Sequence, residues 1–177
     1  MVPSRVLNES RHASVPDCGI YMAPLQPEAG ILPLRQFAVL VSTHTPAVPI
    51  LVQVEWGADY PMTPLKIEFM TRVPHPLIAN NGSIDVDILG DRWSPALQAR
   101  TVLVALQWVL DDPKTFQDHC IHNADWEVGV ISTPPEHVPT LFHLLLEAAG
   151  PPVDGASLDW FSWLFFVGCG ACSAWIP

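Results

Sequence analysis

Between Gln36 and Asp111 the apolar residues of this chain change period once, from about two to about 3.6, and no other feature limits the fold as much. Gln36 to Val41 (QFAVLV) is almost wholly apolar, as a buried central strand is. Ile50, Val52, Val54 and Trp56 alternate with Leu51, Gln53 and Glu55, so the next strand is expected to be half-buried, with one face inward. Leu65, Ile67 and Phe69 alternate in the same way with Lys66, Glu68 and Met70. Connections of about eight residues, rich in Pro and Gly, suit antiparallel neighbours. From Gln98 to Asp111 the spacing turns helical: Val102, Leu103, Leu106, Val109 and Leu110 form one stripe, stopped by Asp112-Pro113. Packed on the sheet face that carries Ile50, Val52, Leu65 or Ile67, the stripe predicts an α+β domain, a four-stranded antiparallel meander against helices.

The flanks are less regular. Ser4 is expected to cap a short first helix (SRVLNESRHA), and Gly19 to Ala23 to form a brief edge strand. One more helix is expected at Thr140 to Ala149. Residues 1–150 therefore read as one domain, best supported over 35–113, with 151–177 a linker and an apolar tail. The tail from Trp160 to Pro177 carries no charge. Spanning a bilayer takes roughly twenty apolar residues, so this segment either anchors the chain at a membrane or packs on the domain.

Composition excludes some classes. A net charge of −10 with eight Lys and Arg argues against nucleic acid, whose phosphates need clustered cations. The same charge favours basic partner surfaces. Cys18, Cys120, Cys169 and Cys172 make no disulfide framework, and the first thirty residues hold no continuous apolar run of a signal peptide. The expected compartment is reducing, cytoplasm or nucleus. His119, Cys120 and His122 lack a credible second ligand pair, because Cys169 and Cys172 lie in an apolar run. No metal and no cofactor are expected.

The chemistry is concentrated between Tyr60 and Leu97 (YPMTPLKIEFMTRVPHPLIANNGSIDVDILGDRWSPAL). A strand runs into a turn at His75-Pro76, a second turn follows at Asn80 to Gly82, and Trp93-Ser94-Pro95 is expected to open a helix. Asn81-Gly82 predicts a positive φ. Asp85, Asp87 and Asp91 read as solvated acids on a surface loop, since nothing supplies a metal set or a cleft for hydrolysis.

In order and spacing, Tyr60-Pro61, Pro64, His75-Pro76, Asn81-Gly82-Ser83-Ile84, Asp87-Ile88-Leu89 and Trp93-Ser94-Pro95-Ala96-Leu97 resemble the ubiquitin-conjugating enzymes. That resemblance implies the UBC-like fold. It also implies a His-Pro-Asn turn, whose asparagine supports the oxyanion, and a cysteine ten residues after the histidine that carries ubiquitin as a thioester. In this sequence those two positions are Leu77 and Asp85. A carboxylate is a poor acyl nucleophile and Leu77 offers no donor. The expectation is a catalytically inactive variant that binds ubiquitin or a ubiquitin-like protein, a ubiquitin ligase or an active conjugating enzyme. Cys120 with His119 or His122 is the candidate for a relocated nucleophile. By position, Arg5, Met62, Ser94, Pro95 and Ala96 match the family's ligase-binding surface.

Overall fold

The computed structural model describes residues 3–25, 33–41, 49–113, 115 and 131–149. Helix α1 (Ser4–His12) leads through a short turn to strand β1 (Ile20–Met22), followed by β2 (Leu34–Val41), β3 (Pro49–Trp56) and β4 (Lys66–Phe69). Helices α2 (Ala99–Asp111) and α3 (Val138–Ala149) complete the described chain. The sheet is an antiparallel meander in the order β1-β2-β3-β4. The four strands and the helix stripe thus lie where the sequence pattern put them, within two residues at each end.

One face of the sheet meets α1 and α2. Ala38, Leu40, Ile50, Val52, Val54, Trp56, Leu65, Ile67 and Phe69 share a core with Val6 of α1 and with Val102, Leu103 and Leu106 of α2. Burying each large aliphatic side chain contributes about 1.5–3 kcal/mol. Two polar side chains cross this core with partners. Gln36 Nε2 donates to Ser10 Oγ (2.8 Å), and its Oε1 accepts from Trp56 Nε1 (3.1 Å). Gln107 Nε2 donates to the carbonyls of Cys18 and Val41, tying α2 to the ends of β1 and β2.

Three local expectations are corrected. Ser4 is the first helical residue and makes no capping bond; Pro3 occupies the cap position. The Trp93-Ser94-Pro95 segment is a turn, and α2 begins only at Ala99. Leu51 is fully buried, although alternation gave that strand a single inward face. The cause is α3, whose Leu141 and Leu144 lie over Val39 and its cross-strand partner Leu51, with Phe37, Val41 and Met70 around them. The second face is therefore covered around Leu51, while Arg35, Lys66 and Glu68 on the same face stay exposed.

The outer margin of β4 is closed by the 78–84 loop. Phe69 N–H donates to Gly82 O (2.8 Å), and Glu68 bridges Ser83. Gly82 sits at φ 86°, as the Asn-Gly pair predicts, and a Cβ there would run into the Phe69 carbonyl.

Candidate functional site

The loop that carries the expected catalytic positions is built on a buried histidine. His75 is 1% exposed. Its Nδ1 accepts the Leu77 N–H (3.1 Å), so Nε2 carries the proton and donates to the Val109 carbonyl of α2 (3.0 Å). Burial lowers the imidazole's pKa from its ordinary value, and the Val109 bond only partly opposes this. Neutral and engaged at both nitrogens, His75 fixes the turn and has no free nitrogen for acid–base chemistry.

This geometry gives a pH dependence. Between the depressed folded pKa and the ordinary value near 6.5, the unfolded chain binds the proton and the folded chain does not. Stability from His75 is thus complete above about pH 6.5 and falls as pH drops through that window, by at most about 1.4 kcal/mol per unit. Urea denaturation at pH 7.5 and pH 5.5 should show the loss, and His75→Gln should remove most of the difference.

Beyond the turn the chain doubles back. Ile78 bridges Ile84, Ala79 N–H donates to Ser83 O (2.9 Å), and Asp85 N–H donates to Leu77 O (3.1 Å). Leu77 and Asp85 therefore face each other at the base of this loop. Leu77 is buried and Asp85 is exposed. Asn80 and Asn81 lie at the opposite tip, where Asn81 Oδ1 accepts from Ser83 N (3.0 Å) and Ser83 Oγ (2.7 Å). Neither amide is placed to substitute for a donor at Leu77. A cleft of about 530 Å³ runs along the other flank of the loop, lined in part by Glu68, Arg72, Asn80 and His137, and it includes neither Leu77 nor Asp85. Asp87 and Asp91 are exposed, and Asp87 pairs at 3.7 Å with exposed Arg92. Among the described residues no group of three or more His, Cys, Asp or Glu is arranged to hold a metal. Cys120 and the 151–177 tail lie outside the described residues, within which no helix is long and apolar enough to cross a membrane.

A second constellation was legible only by position. Glu9 of α1 is 8% exposed and gathers three donors. Its Oε1 accepts from Arg5 Nε (2.6 Å), and its Oε2 accepts from Tyr60 OH (2.6 Å) and from the Ala99 N–H that opens α2 (2.8 Å). A carboxylate at a helix N-terminus is favourably placed against the helix dipole. Burial, reinforced by the Glu9 hydrogen bond and charge, raises the Tyr60 phenol well above its ordinary pKa, keeping it a neutral donor. The Glu9 hydrogen bond also raises Arg5.

Arg5 reaches further. Its Nη2 donates to the carbonyls of Pro95 (2.5 Å) and Leu97 (3.1 Å), and its guanidinium lies 5.7 Å from the Tyr60 ring centroid. Trp93 Nε1 donates to Pro61 O (2.9 Å), next to Met62, which is 74% exposed. Ser94, Pro95 and Ala96 are exposed. Arg5, Met62 and the 94–96 turn thus come together as one surface, with Arg5 spending its donors on that turn's own backbone. Glu9, Tyr60 and Trp93, which hold the surface in place, were not singled out for that role in the sequence, because their partners are remote along the chain.

Comparison with known proteins bears on the fold. A family model described as ubiquitin-conjugating enzyme matches residues 50–127. The E2 domain of a Toxoplasma gondii ubiquitin conjugating enzyme superposes with a TM-score of 0.53 at 29% identity, covering 62% of this chain and 74% of that one. The described residues have the UBC-like fold. Ubiquitin-conjugating enzyme E2 N of Macaca fascicularis is 51% identical over 55 residues, which make up 31% of this chain and 36% of that protein. The matched stretch thus spans about a third of the curated relative's length. In this UBC-like domain the loop backbone around His75-Pro76 is ordered by its own hydrogen bonds, while Leu77 and Asp85 occupy the positions where the family pattern has asparagine and cysteine.

Proposed function

We propose that this UBC-like protein takes part in ubiquitin or ubiquitin-like conjugation as a non-catalytic partner. The observation that carries this reading is the pairing of an exposed Asp85 with a buried, donor-less Leu77 across one backbone hydrogen bond. A carboxylate there would give at most an anhydride, which water cleaves, and the Leu77 side chain supplies no donor for an oxyanion. His75 is committed to structure at both nitrogens and activates nothing.

Binding is what the retained surface offers. Met62 presents a polarizable thioether beside the Ser94-Pro95-Ala96 turn, a small apolar anchor with a polar rim, and Arg5 holds that turn to α1. The partner class for this surface is a ubiquitin ligase or an active conjugating enzyme, with ubiquitin or a ubiquitin-like protein as the second ligand. The chain works in the cytoplasm or nucleus in this reading.

The test is direct. The full chain incubated with activating enzyme, ATP and ubiquitin, then run on a non-reducing gel, should show no reductant-sensitive adduct. An adduct that disappears on reduction and in a Cys120→Ser variant would replace this reading with an enzyme that uses a relocated nucleophile.

A further inference from the structure

We propose that the solvent face of α2 joins two copies of this chain as an antiparallel, two-fold symmetric helix pair centred near Ala105. The starting point is Trp108, which is 76% exposed on a helix whose opposite side is fully buried. Tryptophan is a costly residue to leave in water and a common anchor in interfaces. Around it on the same face lie exposed Thr101 and half-buried Val104 and Ala105. Their spacing of three and four residues forms a continuous stripe along the helix.

The charges on this face choose the occupant. Arg100 is exposed at the N-terminal end, and among the described residues no carboxylate lies within ion-pair distance of it. Asp111 lies at the C-terminal end. Eleven residues are close to three full turns, so Arg100 and Asp111 stand on the same flank of the stripe, about 16 Å apart along the axis. When two copies of a helix pair antiparallel about a two-fold axis, each flank meets the same flank of the other copy with its ends reversed. Arg100 of each copy then faces Asp111 of the other. Trp108 meets the partner's Val104 and Thr101, and the small Ala105 lets the backbones approach at the centre. A parallel two-fold pairing would set each flank against the opposite flank of the other copy, so neither Arg100 nor Asp111 would meet an opposite charge on this flank. The face is thus complementary to itself in one orientation, and the pairing adds no net charge to a strongly acidic chain.

This inference is independent of the non-catalytic reading. One helix face falls at the small end of specific interfaces, so the dimer should half-form on the order of 100 µM. Sedimentation equilibrium of the full chain should show the mass rising with concentration from 19.5 kDa toward twice that value. Trp108→Glu should weaken association at least tenfold. Arg100→Glu and Asp111→Arg should each weaken it alone, whereas an equimolar mixture of the two should associate more tightly than either, because one cross-pair is then native and the other is restored with reversed sign. Trp108 and Arg100 face solvent, so their variants should keep the wild-type circular dichroism. Four outcomes would overturn the proposal: a wild-type chain monomeric at 1 mM, Trp108→Glu associating like wild type, a mixture no tighter than its components, or a monomeric chain that instead binds added ubiquitin through Trp108.

Discussion

Glu9→Ala is expected to lower the free energy of unfolding by about 3 kcal/mol. The carboxylate is buried and serves Arg5, Tyr60 and the first amide of α2 together. Removing it leaves the Tyr60 hydroxyl and the Ala99 N–H inside the protein with no acceptor, and each such orphan costs about 1–3 kcal/mol. Arg5 adds little to that loss, since its side chain is 39% exposed and water replaces the lost partner. Tyr60→Phe removes one donor and one demand at once, so its cost should be only about 1 kcal/mol. The double variant should then be less destabilised than the sum, because Tyr60→Phe abolishes one of the orphans that Glu9→Ala creates. Urea denaturation followed by circular dichroism measures all three. A loss below about 1 kcal/mol for Glu9→Ala would mean that α1 does not fasten the Tyr60 loop and the start of α2.

Asp85→Cys is expected to give a chain that accepts ubiquitin as a reductant-sensitive adduct where the wild type shows none. The position is exposed, and its backbone is set by the Leu77 carbonyl and the Ile78–Ile84 bridge, so a thiolate there meets solvent and donor alike. Discharge to lysine should remain slow in this variant, since no amide stands at Leu77. Adding Leu77→Asn should speed discharge by on the order of 10²-fold if the new amide reaches the oxyanion. That second change carries a folding cost of about 1–3 kcal/mol, because Leu77 is buried and an amide in its place must find partners. Single-turnover discharge to free lysine separates the two steps. A folded Asp85→Cys chain that stays uncharged would show that the surrounding frame has diverged along with the cysteine.

The fold was legible wherever one local pattern decided it. The apolar run of Gln36 to Val41 and the alternation in Ile50 to Trp56 and Leu65 to Met70 marked the strands, and Val102, Leu103 and Leu106 marked the buried face of α2. Leu51 was not legible as core, because its burial depends on α3, about ninety residues further on, whose apolar pattern names no target. Helix α2 starts late because Ser94 to Leu97 is held as a turn by Arg5, a contact across 90 residues that no window reveals. The turn at His75 was visible as a motif, whereas its burial and its bond to Val109 arise only from packing. In the sequence Glu9 is one polar residue among several in a short first helix. Its partners Tyr60 and Ala99 lie 51 and 90 residues away, so only the folded chain discloses that it joins three segments.

The closure of the β4 margin by Gly82 and Ser83 has a consequence for how this molecule meets others. A bare sheet margin invites a strand from another chain, and that is a common route to runaway polymerisation. Here the loop bearing Leu77 and Asp85 fills one margin with its own backbone, and the margin at the far side is β1, three residues long. Little main chain among the described residues is left to template further strands. Contacts with other molecules therefore fall to side-chain surfaces, where a single residue such as Met62 or Trp108 can decide the partner.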